Sequence, residues 1–344
     1  MGLSVVILAA GQGTRMKSAL PKVLHPLGGV PLLQHVIRTA RALSPASIRV
    51  VYGHGGEQVP QALSQAGVEW VLQEEQKGTG HAVEQAMPGI ADDDTVLVLY
   101  GDVPLIRPQT LRQLVDEAGE DRLVLLTAVL EDPHGYGRIV RDADGRPSAI
   151  VEHKDASEAQ RQIREINTGF LAAPAGRLRG WLQRLDNRNA QGEFYLTDVI
   201  AMAAAEGAPL DSVTAEDEFE VLGVNDRVQL ATLERVYQRR QAERLMRAGV
   251  TLADPARFDQ RGELEVGQDC FIDVNVIFEG TVKIGRDVKI GHNCLIINAI
   301  IGDGVEILGN CVIEDAEIGA ASRIGPFARI RPQTRLAEGV HVGN

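Results

Sequence analysis

A six-residue period governs the last third of the chain. An aliphatic or aromatic residue recurs at Val266, Ile272, Phe278, Ile284, Ile290, Ile296, Ile301, Ile307, Ile313, Ile318, Ile324, Ile330, Leu336 and Val342. Every step is six residues except two of five. Four positions after each mark the residue is usually small or apolar: Cys270, Val276, Val282, Val288, Cys294, Ile300, Val305, Cys311, Ala328 and Val340. A hexapeptide period specifies a parallel β-helix, in which each short flat strand turns one aliphatic side chain inward. With about three hexads to a coil, the stretch makes roughly four coils. The three Cys residues fall on the small inward position, so they read as interior hydrophobes and not as ligands or disulfide halves. Glu317 breaks the small-residue rule, and the repeat does not account for it.

At 344 residues the chain has room for two domains. No apolar run approaches the roughly 20 residues that cross a bilayer, and Val5 to Ala10 lacks the basic flank of a signal peptide. Met1-Gly2 opens like a myristoylation site, but Val6 stands where Ser or Thr is required. With all Cys residues placed in the repeat, a reducing cytoplasm is the expected compartment. A net charge of −12 argues against a nucleic-acid-binding surface. The charge is unevenly spread: residues 1–56 hold no Asp or Glu, yet carry Arg15, Lys17, Lys22, Arg38, Arg41 and Arg49. That asymmetry points to a local anion site, with Arg38, Arg41 and Arg49 set aside as solvating a surface helix.

Ser4 to Ala10 is a continuous apolar run that reads as a buried parallel strand. Leu32, Leu33, Val36, Ile37, Ala40 and Leu43 share one helical face. Strands are expected over Ile48–Tyr52, Glu69–Leu72 and Thr95–Tyr100. Strands alternating with helical stretches give an α/β sheet with helices on both faces. Asp142 to Gly145 marks a hairpin turn. Asn225 and Asp226 are expected to cap a long helix closed by Gly249, with Val228, Leu230, Leu233, Val236, Tyr237 and Leu245 along it, serving as a strut between two domains.

The glycines of Leu8-Ala9-Ala10-Gly11-Gln12-Gly13-Thr14-Arg15-Met16 follow directly on the first strand, where backbone N–H groups can close around an anion. The run is not a Rossmann fingerprint, because Met16 holds the third glycine position and no acid follows about 20 residues on. Nor is it a P-loop, since no Gly-Lys-Ser/Thr closes it. Asp102 ends a buried strand, at the edge where α/β sheets bind ligands. A carboxylate there suits Mg²⁺ beside a triphosphate, and the glycine-rich loop on the first strand favours that role over a helix cap before Pro104.

The run Leu8 to Met16, with Lys22 downstream, resembles the nucleotide-sugar pyrophosphorylases. Gln73, Gly78-Thr79, Tyr100-Gly101-Asp102, Gly135-Tyr136-Gly137, Val151 to Lys154, Asn167-Thr168-Gly169 and Gly223 to Asp226 narrow the resemblance. With the strut helix and the hexapeptide repeat, the chain looks like the bifunctional bacterial N-acetylglucosamine-1-phosphate uridyltransferase/glucosamine-1-phosphate acetyltransferases. It departs from their pattern at Phe194, where Tyr is common, and at Gly80, where Ala is common.

The resemblance implies a Rossmann-like α/β pyrophosphorylase domain over residues 1–224, a linker helix over 225–250 and a left-handed parallel β-helix over 251–344. It implies attack of N-acetylglucosamine-1-phosphate on UTP, giving UDP-N-acetylglucosamine and pyrophosphate. Arg15 and Lys22 would neutralise the triphosphate, and Asp102 and Asn225 would hold Mg²⁺. Leu8, Ala9, Ala10, Gly11 and Gly13 would lie against the nucleotide, Gln73 would read the uracil edge, and Gly78 and Thr79 would add backbone contacts. Tyr100, Gly101, Gly137, Glu152, Asn167 and Asn225 would line the sugar pocket. Without the resemblance, Tyr100 also suits plain core, Asn167 a turn, and Asn225 an N-cap. Acetyl-CoA would serve only the full-length form. The chain stops inside a hexad at Asn344 without a cap, so a truncated form is expected, with Arg331 as the lone member of the acetyltransferase site. A homotrimer about the prism axis is also implied. The alternatives are a pyrophosphorylase for another sugar phosphate and base, and a non-catalytic regulatory subunit; the intact glycine-rich loop, Lys22 and Asp102 speak against the latter.

Overall fold

A computed structural model of the chain describes residues 2–53, 55–119, 121–189 and 191–343. They form two compact units, one of residues up to 25 with 31–229, the other of 26–30 with residues from 230 onward.

The first unit is built on one mixed sheet. Its strands are β1 (Leu3–Leu8), β2 (Ser47–Gly53), β3 (Glu69–Gln73), β4 (Thr95–Tyr100), β5 (Leu123–Val129), β6 (Arg138–Arg141), β7 (Pro147–Val151), β8 (Glu165–Pro174) and β9 (Leu210–Thr214). Their order is β9-β5-β8-β4-β1-β2-β3, with β6 on β8 and β7 on β6. β1 runs parallel to β2 and β4, whereas β8 is antiparallel to β4 and β5. The apolar run of β1 is continuous because both of its faces are covered. Val5 and Ile7 pack with Leu33, Val36 and Ile37 of the helix Leu32–Arg41, and Val6 and Leu8 with Ala82, Val83 and Ala86 of the helix Thr79–Ala86. Arg49 lies on β2 and not on a surface helix. It donates to the Ala86 carbonyl at 2.7 Å and pairs with Glu69 at 2.9 Å.

Asp226 alone caps the helix Arg227–Arg247: its Oδ1 accepts from the Val228 and Gln229 amides at 2.9 and 2.8 Å. The expected capping role of Asn225 is therefore corrected, since its side-chain oxygen turns elsewhere. The expected apolar stripe is also only partly buried. Leu233 and Leu245 are covered, Val228 is 77% exposed, and a polar residue, Gln238, takes a buried place. Gln238 is accommodated by two hydrogen bonds with the Gln260 backbone, at 2.7 and 2.8 Å.

The second unit is a left-handed β-helix. One of its faces stacks six strands, beginning at Thr251–Leu252, upstream of the point where the repeat becomes visible. Ile272, Ile290, Ile307 and Ile324 stand in register on that face, all buried. Cys270, Cys294 and Cys311 are free and buried, as expected. The two five-residue steps explain Glu317. Each step drops a residue before the inward small position, so Ala299 and Ala316 turn in (1% and 4% exposed). Ile300 therefore points out at 53% exposure, contrary to its expected inward place, and Glu317 points out to meet Arg335 at 3.3 Å.

Candidate active site

The site lies at the carboxyl ends of β1 and β4. The Gly101 amide donates to the Leu8 carbonyl at 2.9 Å and the Ala9 amide to Val51 at 2.8 Å, fixing where the glycine-rich loop leaves the sheet. Gly13 adopts φ 62° and ψ 33° at the head of the turn Thr14–Met16. A Cβ at Gly13 would stand 2.6 Å from the Lys22 Cβ, so glycine is needed for the backbone conformation and for the close approach.

Lys22 is the hub of a cluster drawn from distant segments. Its Nζ donates to Asp102 Oδ2 at 2.5 Å and to Asn225 Oδ1 at 3.3 Å. Arg15 donates to the same Asn225 oxygen at 2.9 Å. The Val224 amide donates to the Asp102 carbonyl at 2.9 Å, holding the segment before the long helix against the end of β4. Asp102 thus takes a lysine and not a helix end. Its carboxylate and the Asn225 amide present hard oxygens to one point, which the Lys22 ammonium holds. One carboxylate and one amide oxygen, completed by phosphate oxygens, suit Mg²⁺, so these residues fit the ion. Among the described residues no three His, Cys, Asp or Glu gather as a metal cage.

Beside the cluster is a cavity of about 430 Å³. The loop lines it from Leu8 to Gln12, with Lys22 and Val23 following; Gln73, Gln76, Gly78, Thr79 and Ala82 form another wall, and Tyr100, Asp102 and Glu193 complete it. Gln73 is buried, and its Nε2 donates to the Gly78 carbonyl at 3.1 Å and lies 2.9 Å from His81 Nδ1. Among the described residues its carbonyl oxygen has no hydrogen-bond partner. Gly78 has φ 108°, and a Cβ there would stand 2.6 Å from the Phe194 carbonyl oxygen. The Thr79 hydroxyl accepts from the Leu196 amide at 3.0 Å, which leaves its backbone for any ligand contact. The two departures noted in the sequence are neighbours: the Gly80 amide donates to the Phe194 carbonyl at 2.8 Å, and Leu185 fills the space a Cβ at Gly80 would need.

A second group adjoins Tyr100. The Asn167 amide donates to the Gly137 carbonyl at 2.8 Å, and a Cβ at Gly137 would lie 3.4 Å from Glu152 Oε1. Asn167 Oδ1 accepts from the Gly169 amide at 3.1 Å, and Gly169 packs on the Tyr100 ring. A register shift in β8 between Asn167 and Leu171 bends the strand here. Burial, then the Asp102 and Glu152 carboxylates, push the Tyr100 hydroxyl above its ordinary value. Tyr136 is raised by burial and then by Asp102. Partial burial, then Asp155 and Asp198, raise Glu152.

The structure gathers Arg15, Lys22, Asp102 and Asn225 in the cluster, Gly13 behind Lys22, and Gly137, Glu152 and Asn167 beside Tyr100. Gly101 is buried, and a Cβ there would meet Leu33 at 3.1 Å. Arg331 belongs to the second unit and is exposed. Sequence reasoning missed Gln12, Val23, Gln76, Ala82 and Glu193. The nearest signal for Gln76 was Gly53, which lacks a side chain where the Gln76 amide reaches across to the Ala10 carbonyl at 2.8 Å.

Residues 5–188 match the MobA-like NTP transferase domain, and residues 261–344 the GMPPB C-terminal domain. Among solved structures, a UDP-glucose pyrophosphorylase complexed with UDP-glucose superposes at TM-score 0.57 and 16% identity, covering 70% of this chain and all of that one. A nucleotidyl transferase from Methanothermobacter thermautotroptrophicus superposes at TM-score 0.51 and 22% identity, covering 70% of this chain and 99% of that one. These likenesses show the fold, and with the domain match they define a nucleotidyltransferase. The bifunctional protein GlmU of Alkalilimnicola ehrlichii is 58% identical over 342 residues, covering 99% of this chain and 74% of its own length. That of Pseudomonas entomophila is 59% identical over 344 residues, covering 100% of this chain and 75% of its own length. The chain belongs to the GlmU family and spans about three quarters of the length of these relatives.

Proposed function

We propose that the chain transfers the uridylyl group of UTP to N-acetylglucosamine-1-phosphate. An oxygen of the sugar phosphate attacks the α-phosphorus, the new P–O bond forms as the α–β bridging P–O bond breaks, and pyrophosphate leaves. The attacking phosphate is already ionised, so no general base is needed, and catalysis is positioning with charge neutralisation. The observation that carries this reading is the Lys22 ammonium set between Asp102 and Asn225 beside the cavity lined by Gln73.

Lys22 and Arg15 neutralise the triphosphate once they part from their present oxygens. Asp102 and Asn225 would hold Mg²⁺, which would supply further charge neutralisation to the reacting phosphates. The Gln73 carbonyl oxygen accepts the imide N–H of uracil, while Leu8, Ala9, Ala10, Gly11 and Gly13 pass under the nucleotide, and Gly78 and Thr79 add backbone contacts. Tyr100, Gly101, Gly137, Glu152 and Asn167 form the sugar side. In this reading residues 1–224 are the uridyltransferase domain, 225–250 the linker helix, and 251–344 part of an acetyltransferase domain. We further propose that these 344 residues carry uridylyl transfer without acetyl transfer. The protein acts in the cytoplasm as a homotrimer. Among the described residues no helix is long and apolar enough to cross a membrane.

The test is steady-state pyrophosphate release with UTP, ATP, GTP and dTTP, each paired with N-acetylglucosamine-1-phosphate and with glucose-1-phosphate. Preference for the UTP and N-acetylglucosamine-1-phosphate pair is expected; equal rates with another pair would discard the pocket assignments. CoA release from acetyl-CoA and glucosamine-1-phosphate would overturn the loss of acetyl transfer.

A further inference from the structure

Arg138 on β6 is 1% exposed, and no carboxylate pairs with it among the described residues. A buried charge without a counter-ion is costly, and such a group persists where its hydrogen bonds hold something in place. Its Nη1 donates to the Tyr136 carbonyl, its Nη2 lies 3.3 Å from His153 Nδ1, and its Nε is buried without a partner among the described residues. A guanidinium only donates. The Nδ1 of His153 must therefore accept, which requires a neutral ring carrying its proton on Nε2. The same ring meets His134 edge-on, with centroids 4.4 Å apart. Arg138 and His153 thus tie the turn Pro133–Gly137 to the segment after β7. These two segments carry Gly137 and Glu152, and Gly137 in turn receives the Asn167 amide.

We propose that Arg138 and His153 are positioning residues for the sugar-phosphate side of the site, and that protonation of His153 releases that side. The proposal rests on the reading of Gly137, Glu152 and Asn167 as sugar contacts. Protonation turns the His153 acceptor into a donor facing a buried guanidinium, so the tie is lost and a repulsion takes its place. The titratable and charged groups that face His153 are His134 on the turn, Arg138 on β6, Arg161 beyond β7, and Asp132 as the opposing acid. Partial burial, then His134, Arg138 and Arg161, hold the imidazole below its ordinary value against Asp132. The sign follows. The released form takes up a proton at the ordinary histidine value of about 6.5, and the tied form only at lower pH. The tie is therefore at full strength above about pH 6.5 and weakens as the pH falls below it.

The experiment compares the chain with His153→Gln and His153→Ala at about pH 8 and about pH 5.5. A glutamine oxygen can accept from Arg138 and does not titrate. The sugar phosphate itself titrates in this range, and the glutamine variant reports that share. On acidification the KM for N-acetylglucosamine-1-phosphate should rise about fivefold to tenfold more in the unaltered chain than in His153→Gln. The UTP KM should move alike in both. His153→Ala should show a raised sugar-phosphate KM already at the higher pH, rescued in His153→Gln. Independently of activity, the amide resonances of Gly135 and Gly137 should follow the His153 titration and stay flat in His153→Gln. Equal pH dependence in the two proteins, or glycine resonances that ignore His153, would overturn the proposal. If the folded chain released no pyrophosphate at the higher pH, the functional reading would fail, and the resonances would still decide whether His153 governs the turn.

Discussion

Gly13→Ala separates a positioning role of the loop from a merely tolerant one. Two costs follow from the structure. The left-handed backbone at Gly13 (φ 62°) costs a residue with a side chain about 1–2 kcal/mol. For a unit of this size that lowers the melting temperature by roughly 2–8 °C. The second cost falls on Lys22. The new Cβ would begin 2.6 Å from the Lys22 Cβ, where ordinary contact is near 3.8 Å, so the lysine must shift by about 1 Å. A misplacement of that size can cost about a hundredfold in turnover. Stopped-flow or continuous pyrophosphate detection at saturating UTP should therefore show kcat down about a hundredfold in a protein that still melts cooperatively. Gly13→Asn refines the test, because asparagine tolerates the left-handed conformation but carries the same Cβ. It should regain stability and remain slow. Turnover within about threefold of the unaltered chain, in a folded Gly13→Ala protein, would refute the claim that Gly13 sets the place of Lys22.

Three further outcomes are expected. Lys22→Ala and Asp102→Ala should each lose roughly 10²–10³-fold in kcat with unchanged circular dichroism, measured by the same assay. Asp226→Ala should cost about 1 kcal/mol in urea denaturation and leave turnover intact, whereas Asn225→Ala should spare stability and slow turnover by more than about tenfold. In the β-helix, Glu317→Ala should change stability by less than about 0.5 kcal/mol. Ala316→Glu should cost several kcal/mol by burying an unpaired charge, read as a lowered denaturation midpoint.

The repeat was legible because a β-helix side chain has a strict inward position, and periodicity reports it directly. What periodicity could not say was where a five-residue step loses its residue. The loss falls before the inward small position, which turns Ala299 and Ala316 in and leaves Ile300 and Glu317 outside. Of the first sheet, β1 to β4 and the hairpin of β6 and β7 were legible, and β4 fell on the expected residues Thr95–Tyr100, whereas β5, β8 and β9 were not expected. The start of the long helix was less so. Asn225 and Asp226 are both good caps in isolation, and the choice between them is made by Arg15 and Lys22, which lie more than 200 residues upstream. Gln238 escaped for a similar reason, since a buried amide is permitted there by the Gln260 backbone. The tie between Arg138 and His153 left no trace, because both residue types are common on surfaces and nothing local announces a buried arginine.

The central claim is that the Lys22, Asp102 and Asn225 cluster serves uridylyl transfer to an N-acetylated sugar phosphate. The most direct measurement is mass spectrometry of the products after incubation of the purified chain with UTP, N-acetylglucosamine-1-phosphate and Mg²⁺, with and without a chelator. The account predicts UDP-N-acetylglucosamine and pyrophosphate in equal amounts, lost on chelation. Folded protein that forms no nucleotide sugar from this pair, or forms it undiminished without the metal, would contradict it.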